Sequence, residues 1–262
     1  MPAARQDRWS AHDFRTIGQM EWSWFRWHAK TGMRLLYRAL RDREGRGYAW
    51  LRLTSSEPLF QDYGTTSIHR YPHLFAFVRQ ALSGIGAPRL LSFGCSTGEE
   101  VASLRHHFPQ ALITGLDIHP GHIATCRRRL RERPDPGVQF RVAGSTAAEA
   151  EGAFDAVFCL AVMRRGDLAR HPGERCDHLI RFEDFEAQLE DFARCLRPGG
   201  LLVLRHANFR LRDARAARWF EPVLSLPAVA RADTPLFGPD HRRLEDQADG
   251  EAVFRRLAVV RR

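Results

Sequence analysis

Arg89-Leu-Leu-Ser-Phe-Gly-Cys-Ser-Thr-Gly-Glu-Glu-Val101 decides how the rest of this chain is read. Leu90, Leu91 and Phe93 form a short apolar run of strand type, and Glu99, Glu100, Val101 and Leu104 open a helix. Between them Gly94 and Gly98 permit a sharp turn and let a ligand lie against bare main chain. A buried strand, a small-residue turn and a helix start mark the ligand-binding corner of a doubly wound α/β sheet, and a nucleotide-like ligand is expected there.

Two common ligands do not fit the turn. It lacks the Gly-Lys-Ser/Thr ending of a phosphate cradle, and it lacks the Gly-x-Gly-x-x-Gly spacing of a dinucleotide site. Glu99 and Glu100 stand where a phosphate would want positive charge, so a cationic ligand suits the turn better. Further on, Ala111-Leu-Ile-Thr-Gly-Leu-Asp117 reads as a second strand whose terminal acid is placed to hold a ribose diol. A ribose with an ammonium or sulfonium, and no phosphate, points to S-adenosylmethionine.

The chain resembles the class I methyltransferases that use S-adenosylmethionine, and within them the chemotaxis-receptor (CheR-type) branch. That branch has a glycine turn reading Cys-Ser-Thr-Gly-Glu-Glu, found here from Cys95 to Glu100. It also has an upstream Thr-x-x-x-Arg-x-x-x-x-Phe segment, met here by Thr66, Arg70 and Phe75 with Pro72 between. The resemblance runs from about Gly64 to about His206. It implies a doubly wound, mostly parallel, Rossmann-like α/β sheet with S-adenosyl-L-methionine as cofactor. It also implies an arm, Tyr63 to Arg70, folded over the cofactor with Thr66 and Arg70 near its methionine end. Without the motif, Thr66 would read as a turn cap and Arg70 as half of a surface pair. Gly94, Cys95, Ser96, Thr97 and Gly98 form the expected cofactor turn, and Glu99 is the candidate for the methionine ammonium. Glu100 reads as a carboxylate favoured at a helix N-terminus. Asp117, Ile118 and Leu160 complete the expected contacts. Many methyltransferases place an acid or amide against the adenine amine after the third strand. Gly144, Ser145 and Thr146 stand there with no acid, so Ser145 or backbone groups are the substitutes.

At 262 residues and 44% hydrophobic, the chain can bury one full α/β core, residues 63–262, and carry an N-terminal helical, tryptophan-rich extension, residues 1–62. The formal charge of +9 comes from arginines spread along the chain, with Lys30 the one lysine. No clustered basic motif interleaved with aromatics accompanies it, so no nucleic-acid partner is expected. Cys95, Cys126, Cys159, Cys176 and Cys195 are never spaced C-x-x-C, which signals neither a disulfide framework nor a zinc site. With no signal-peptide pattern and no eighteen-residue apolar run, a cytoplasmic setting and at most peripheral membrane contact are expected. No acidic or histidine cluster has metal-ligand spacing.

Trp9, Trp22, Trp24, Trp27 and Trp50 fall in the extension. From Met20 to Arg43, Trp22, Phe25, Ala29, Met33, Leu36 and Leu40 follow helical spacing with basic residues on other faces. Such a helix packs on the catalytic domain or a dimer mate, or lies on an anionic membrane or a partner. Gly45-Arg-Gly47 is expected to break it. In the domain, helices are expected over Pro72 to Leu82, Glu99 to Phe108, Gly121 to Arg131 and Phe182 to Leu196. Strands are expected over Val138 to Val142, Phe154 to Leu160 and Leu201 to Leu204, with Arg197-Pro-Gly-Gly200 stopping the last helix. Beyond His206 the pattern supports a helix ending at Trp219-Phe220 and a single strand within Ala252 to Val260, where the family would have two strands.

Three functions fit these residues: methylation of a small molecule or glycan, methylation of a protein carboxylate, or cofactor binding without transfer in a sensor or scaffold. A hydroxyl acceptor needs a base, for which His69, His206 and Tyr63 are the candidates, while a carboxylate needs none. In the chemotaxis-receptor branch the end of the fourth strand reads Cys-Arg-Asn-Val-Leu. Here Cys159-Leu-Ala-Val-Met163 lacks the Arg-Asn pair, so a receptor glutamate is not the expected acceptor, and a small molecule or glycan is.

Overall fold

The computed structural model describes residues 33, 37, 40, 42–61, 63, 64, 66–68, 70–170, 173–230 and 234–258. The chain divides into two compact units, Met1–Trp50 and Leu51–Arg262. The helices whose bounds fall among the described residues are α1 (Arg43–Thr54), α2 (Pro72–Ala81), α3 (Glu99–His107), α4 (Pro120–Glu132), α5 (Gly166–Arg170) and α6 (Phe182–Cys195). Its strands are β1 (Arg89–Phe93), β2 (Leu112–Asp117), β3 (Val138–Val142), β4 (Phe154–Leu160), β5 (Leu196–Arg205), β6 (Phe220–Ala230) and β7 (Ala248–Arg256).

The strands form one sheet in the order β3-β2-β1-β4-β5-β7-β6. β1 to β5 run parallel, and β7 is antiparallel to both β5 and β6. Strand order reverses between β1 and β4, which leaves a crevice at their carboxyl ends. Side chains alternate along each strand, so Leu90 and Leu91 serve opposite layers. Leu91, Phe93, Val157, Cys159, Leu202 and Leu204 pack on the α6 side with Phe185, Leu189 and Phe192. Leu90, Ala156, Phe158, Leu201 and Val203 pack on the other, with Leu74, Phe75 and Val78 of α2 and Ile123 of α4. β4, in the middle, is buried at every position, as a strand covered on both faces must be.

Three sequence expectations are corrected. Gly45-Arg-Gly47 does not break a helix, because α1 runs through it. Asp42 sits before the helix and its Oδ1 accepts the Gly45 N–H, a side-chain cap that offsets the glycines. The expected Met20 to Arg43 helix lies outside the described residues except at Met33, Tyr37 and Leu40, which are helical and exposed, and at Asp42 and Arg43, where α1 begins. Arg197-Pro-Gly-Gly200 does not precede β5 but bulges within it: Phe154 pairs with Leu196 and Ala156 already with Leu201. The expected helix near Trp219 is two 3-10 turns, Leu211–Asp213 and Arg215–Trp219, followed by β6, the strand the sequence pattern hides. β6 carries Pro222 and Pro227, which an edge strand tolerates and which make it read as a loop.

Candidate cofactor and acceptor site

The glycine turn is held in left-handed backbone at alternate residues: Gly94 at φ 72°, Ser96 at φ 48° and Gly98 at φ 96°. Only glycine adopts this region at little cost, so Ser96 needs support. Asp117 gives it, its Oδ2 accepting the Ser96 N–H at 2.8 Å. Gly94 N and Cys95 N both donate to the Leu116 carbonyl, at 2.8 and 2.9 Å, which ties the turn to the end of β2. Ala161 after β4 and His206 after β5 are also left-handed. Strained non-glycine residues thus follow three of the strands that bound the crevice, where strain is commonly part of a binding site.

Asp117 accepts from Ser96 N, from His119 N at 2.8 Å and from the His122 ring at 3.2 Å. Both of the last two use Oδ1, so Oδ2 keeps one acceptor position for a ribose hydroxyl. His119 in turn caps α4, its Nδ1 accepting the N–H groups of Gly121 and His122.

Adjacent acids separate sharply. Glu99 faces outward, accepting from Thr97 Oγ1 at 2.7 Å and Arg129 at 2.8 Å, and Arg129 and Thr97 help hold its carboxyl below the usual range despite an opposing desolvation. Glu100 turns inward, accepting from Ser92 Oγ at 2.7 Å. Desolvation pushes its carboxyl up to about 8, against the pull of the Ser92 hydrogen bond and the Arg70 charge. The residue is nevertheless only half-buried.

Thr66 is half-buried and Arg70 exposed, its guanidinium 5.3 Å from the Tyr71 ring centre. Cys95 presents only main chain to the crevice, because its thiol is buried beside Cys126, which raises its pKa along with desolvation. Thr97 turns with Glu99 to the α4 side. Ile118 is half-buried and reaches Gly144. Ser145 does not face the crevice, its hydroxyl bonding Asp191 at 3.2 Å and the Ala147 N–H at 3.0 Å. Leu160 is buried in the sheet. Of the base candidates, His206 lies on the Tyr71 ring, Tyr63 places its hydroxyl against Gly166, and His69 is outside the described residues. Among the described residues no His/Cys/Asp/Glu group is arranged to hold a metal ion. No helix among them is long and apolar enough to cross a membrane.

Two residues escaped sequence reasoning. Glu57 binds Gly144 N and Gln61 binds the Ala161 and Val162 carbonyls. Both contacts span long sequence separations, and no local pattern marks them.

Sheet order, left-handed turn, inward acid and Asp117 stand together at the carboxyl ends of β1 and β2, and the comparisons with known proteins bear on the same stretch. Residues 91–202 match the family model described as a methyltransferase domain. Among curated relatives, the chain is similar to a trans-aconitate 2-methyltransferase of Methylobacterium nodulans, 33% identical over 46% of this chain and 39% of that one. It is similar to a malonyl-[acyl-carrier protein] O-methyltransferase of Paenibacillus sp., 28% identical over 44% of this chain and 37% of that one. A fatty-acid O-methyltransferase of Mycolicibacterium smegmatis is 23% identical over 89% of this chain and 91% of that one. The chain thus spans well under half the length of the first two.

Proposed function

We propose that this protein transfers a methyl group from S-adenosylmethionine to a carboxylate oxygen of a small organic acid. The observation that carries the cofactor reading is the end of the sheet itself: a left-handed turn at Gly94, Ser96 and Gly98, an inward Glu100 and a residual acceptor position on Asp117, all at the carboxyl ends of adjacent strands. The acid acceptor is supported by the relatives, whose names specify aconitate, a malonyl group and a fatty acid.

In this reading Glu100, not Glu99, opposes the cofactor's positive methionine end, with Arg70 beside it for the negative carboxylate. Asp117 receives a ribose hydroxyl. Ile118 supplies an apolar wall. The cofactor supplies an already activated methyl group, so the protein's task is to align an acceptor oxygen with it and keep water out. A carboxylate is ionised at neutral pH, and the new O–C bond forms as the C–S bond breaks with no proton to move. That removes the need for a base at His206 or Tyr63.

The likeness to the chemotaxis-receptor branch is most specific in the glycine turn. At the acceptor end, Leu160 and Ala161 stand where that branch has its Arg-Asn pair, so a small acid's carboxylate would be held by groups outside the end of β4. The test is incubation of the full chain with cofactor labelled in the methyl group and with lysate separated into protein, lipid, glycan and small-molecule fractions. Label in small organic acids, released by mild alkali as from a methyl ester, is expected. Alkali-stable label, or label confined to protein or glycan, would replace this acceptor class.

A further inference from the structure

Residues 55–61, with 63 and 64, cross the carboxyl end of the sheet as a strap. Ser55 Oγ accepts the Glu57 N–H at 3.0 Å and fixes the first bend. Phe60, buried in the core on the α6 side, anchors the middle. Gln61 Nε2 donates to the Ala161 and Val162 carbonyls at the end of β4, and Tyr63 lays its hydroxyl against Gly166. Gly64 approaches so near that a methyl there would fall 2.6 Å from the His122 ring and 2.7 Å from Ser96 Oγ. The strap thus passes over the ends of the strands that carry the cofactor turn.

At its start, Glu57 Oε2 accepts the Gly144 N–H at 2.5 Å. Gly144 opens the Gly144-Ser145-Thr146 stretch that follows β3, where no acid stands and Ser145 is turned to Asp191. α6 fastens that loop: Gln188 Nε2 donates to Thr146 Oγ1 at 2.7 Å, and Arg194 donates to the Thr146 and Ala147 carbonyls at 2.8 Å each. Ile118 closes on the same place, since a Cβ on Gly144 would lie 2.6 Å from Ile118 Cδ1 and 2.7 Å from Glu57 Oε2.

A fixed main-chain N–H, a carboxylate oxygen and an apolar wall complement one edge of adenine. Its ring nitrogen accepts, its 6-amino group donates and its face takes the wall. Guanine and hypoxanthine present donor and acceptor on that edge in the reverse order. We infer that Glu57, delivered by the strap, is the residue that recognises the adenine 6-amino group and replaces the acid missing after β3. The inference rests on the cofactor reading above and adds a specificity residue to it. In the structure the donor and acceptor satisfy one another, so taking up the base exchanges one hydrogen bond for two.

The test is calorimetric titration of the full chain with S-adenosylhomocysteine and with the analogue whose adenine lacks the 6-amino group. The wild type should prefer the adenine compound by about tenfold or more, the scale of one charge-assisted hydrogen bond. Glu57→Ala should bind the two compounds equally. Glu57→Gln, which keeps a neutral acceptor of the same shape, should show an intermediate preference. A Glu57→Ala protein that retains the wild-type preference, or a wild type with no preference, overturns the assignment. If the wild type binds neither compound, the cofactor reading itself fails, an outcome distinct from binding without discrimination.

Discussion

Replacing Glu100 with glutamine should abolish a pH dependence that the wild type shows both in stability and in cofactor binding. Burial holds this carboxyl at about 8, against an ordinary value of 4.5. At about 1.36 kcal/mol per pKa step, ionising it in the folded protein costs at most roughly 5 kcal/mol, and water reaching the crevice lowers that ceiling. For an acid whose pKa is raised by folding, the folded chain keeps a proton that the unfolded chain has released. Stability therefore falls as pH rises from 4.5 towards 8, then levels off, with respect to this group. A cation bound beside Glu100 favours the ionised form and expels the proton. Affinity for S-adenosylhomocysteine should rise about tenfold between pH 6 and 7 and flatten beyond 8. Titration calorimetry in two buffers of different ionisation enthalpy reads the released proton directly. In Glu100→Gln both the slope and the proton release should vanish, with weaker binding at pH 8. An affinity that is flat with pH in the wild type, or the same slope in the variant, refutes the role given to Glu100.

Asp117→Ala should weaken S-adenosylhomocysteine binding by about 1.5–3 kcal/mol, the range for a hydrogen bond to a charged group, and the loss should be visible by calorimetry. It also removes the acceptor that holds Ser96, so part of the loss should appear as a lower melting temperature. Phe60→Ala empties a buried site under the strap and should cost about 3–5 kcal/mol, lowering the calorimetric melting temperature by about 10 °C; an unchanged melt would show the strap to be unanchored. A chemotaxis-receptor cytoplasmic fragment offered with labelled cofactor should take up no methyl group; robust ester formation on it would restore the receptor-type acceptor.

The parallel half of the fold was legible because its signals are local. Leu90, Leu91 and Phe93 against Gly94 and Gly98, the alternating core positions of β4, and the phenylalanine stripe of α6 each declare themselves within a dozen residues. β6 was not legible, because prolines at 222 and 227 mimic loop chemistry and only its edge position makes them harmless. The difference between Glu99 and Glu100 was equally hidden. Successive helical residues point about 100° apart, and which one meets the crevice depends on how α3 is rotated against β1. Glu57 lay beyond sequence reasoning altogether, since the glycine it binds stands 87 residues further along the chain.

The central claim is that this crevice takes an adenosyl cofactor with a cationic methionine end and no phosphate, and a competition titration addresses it directly. S-adenosylhomocysteine titrated into the full chain should give a one-to-one isotherm that S-adenosylmethionine displaces and that ATP and NAD leave unchanged. Displacement by ATP or NAD at comparable concentration, or no binding of S-adenosylhomocysteine at pH 8, would contradict it.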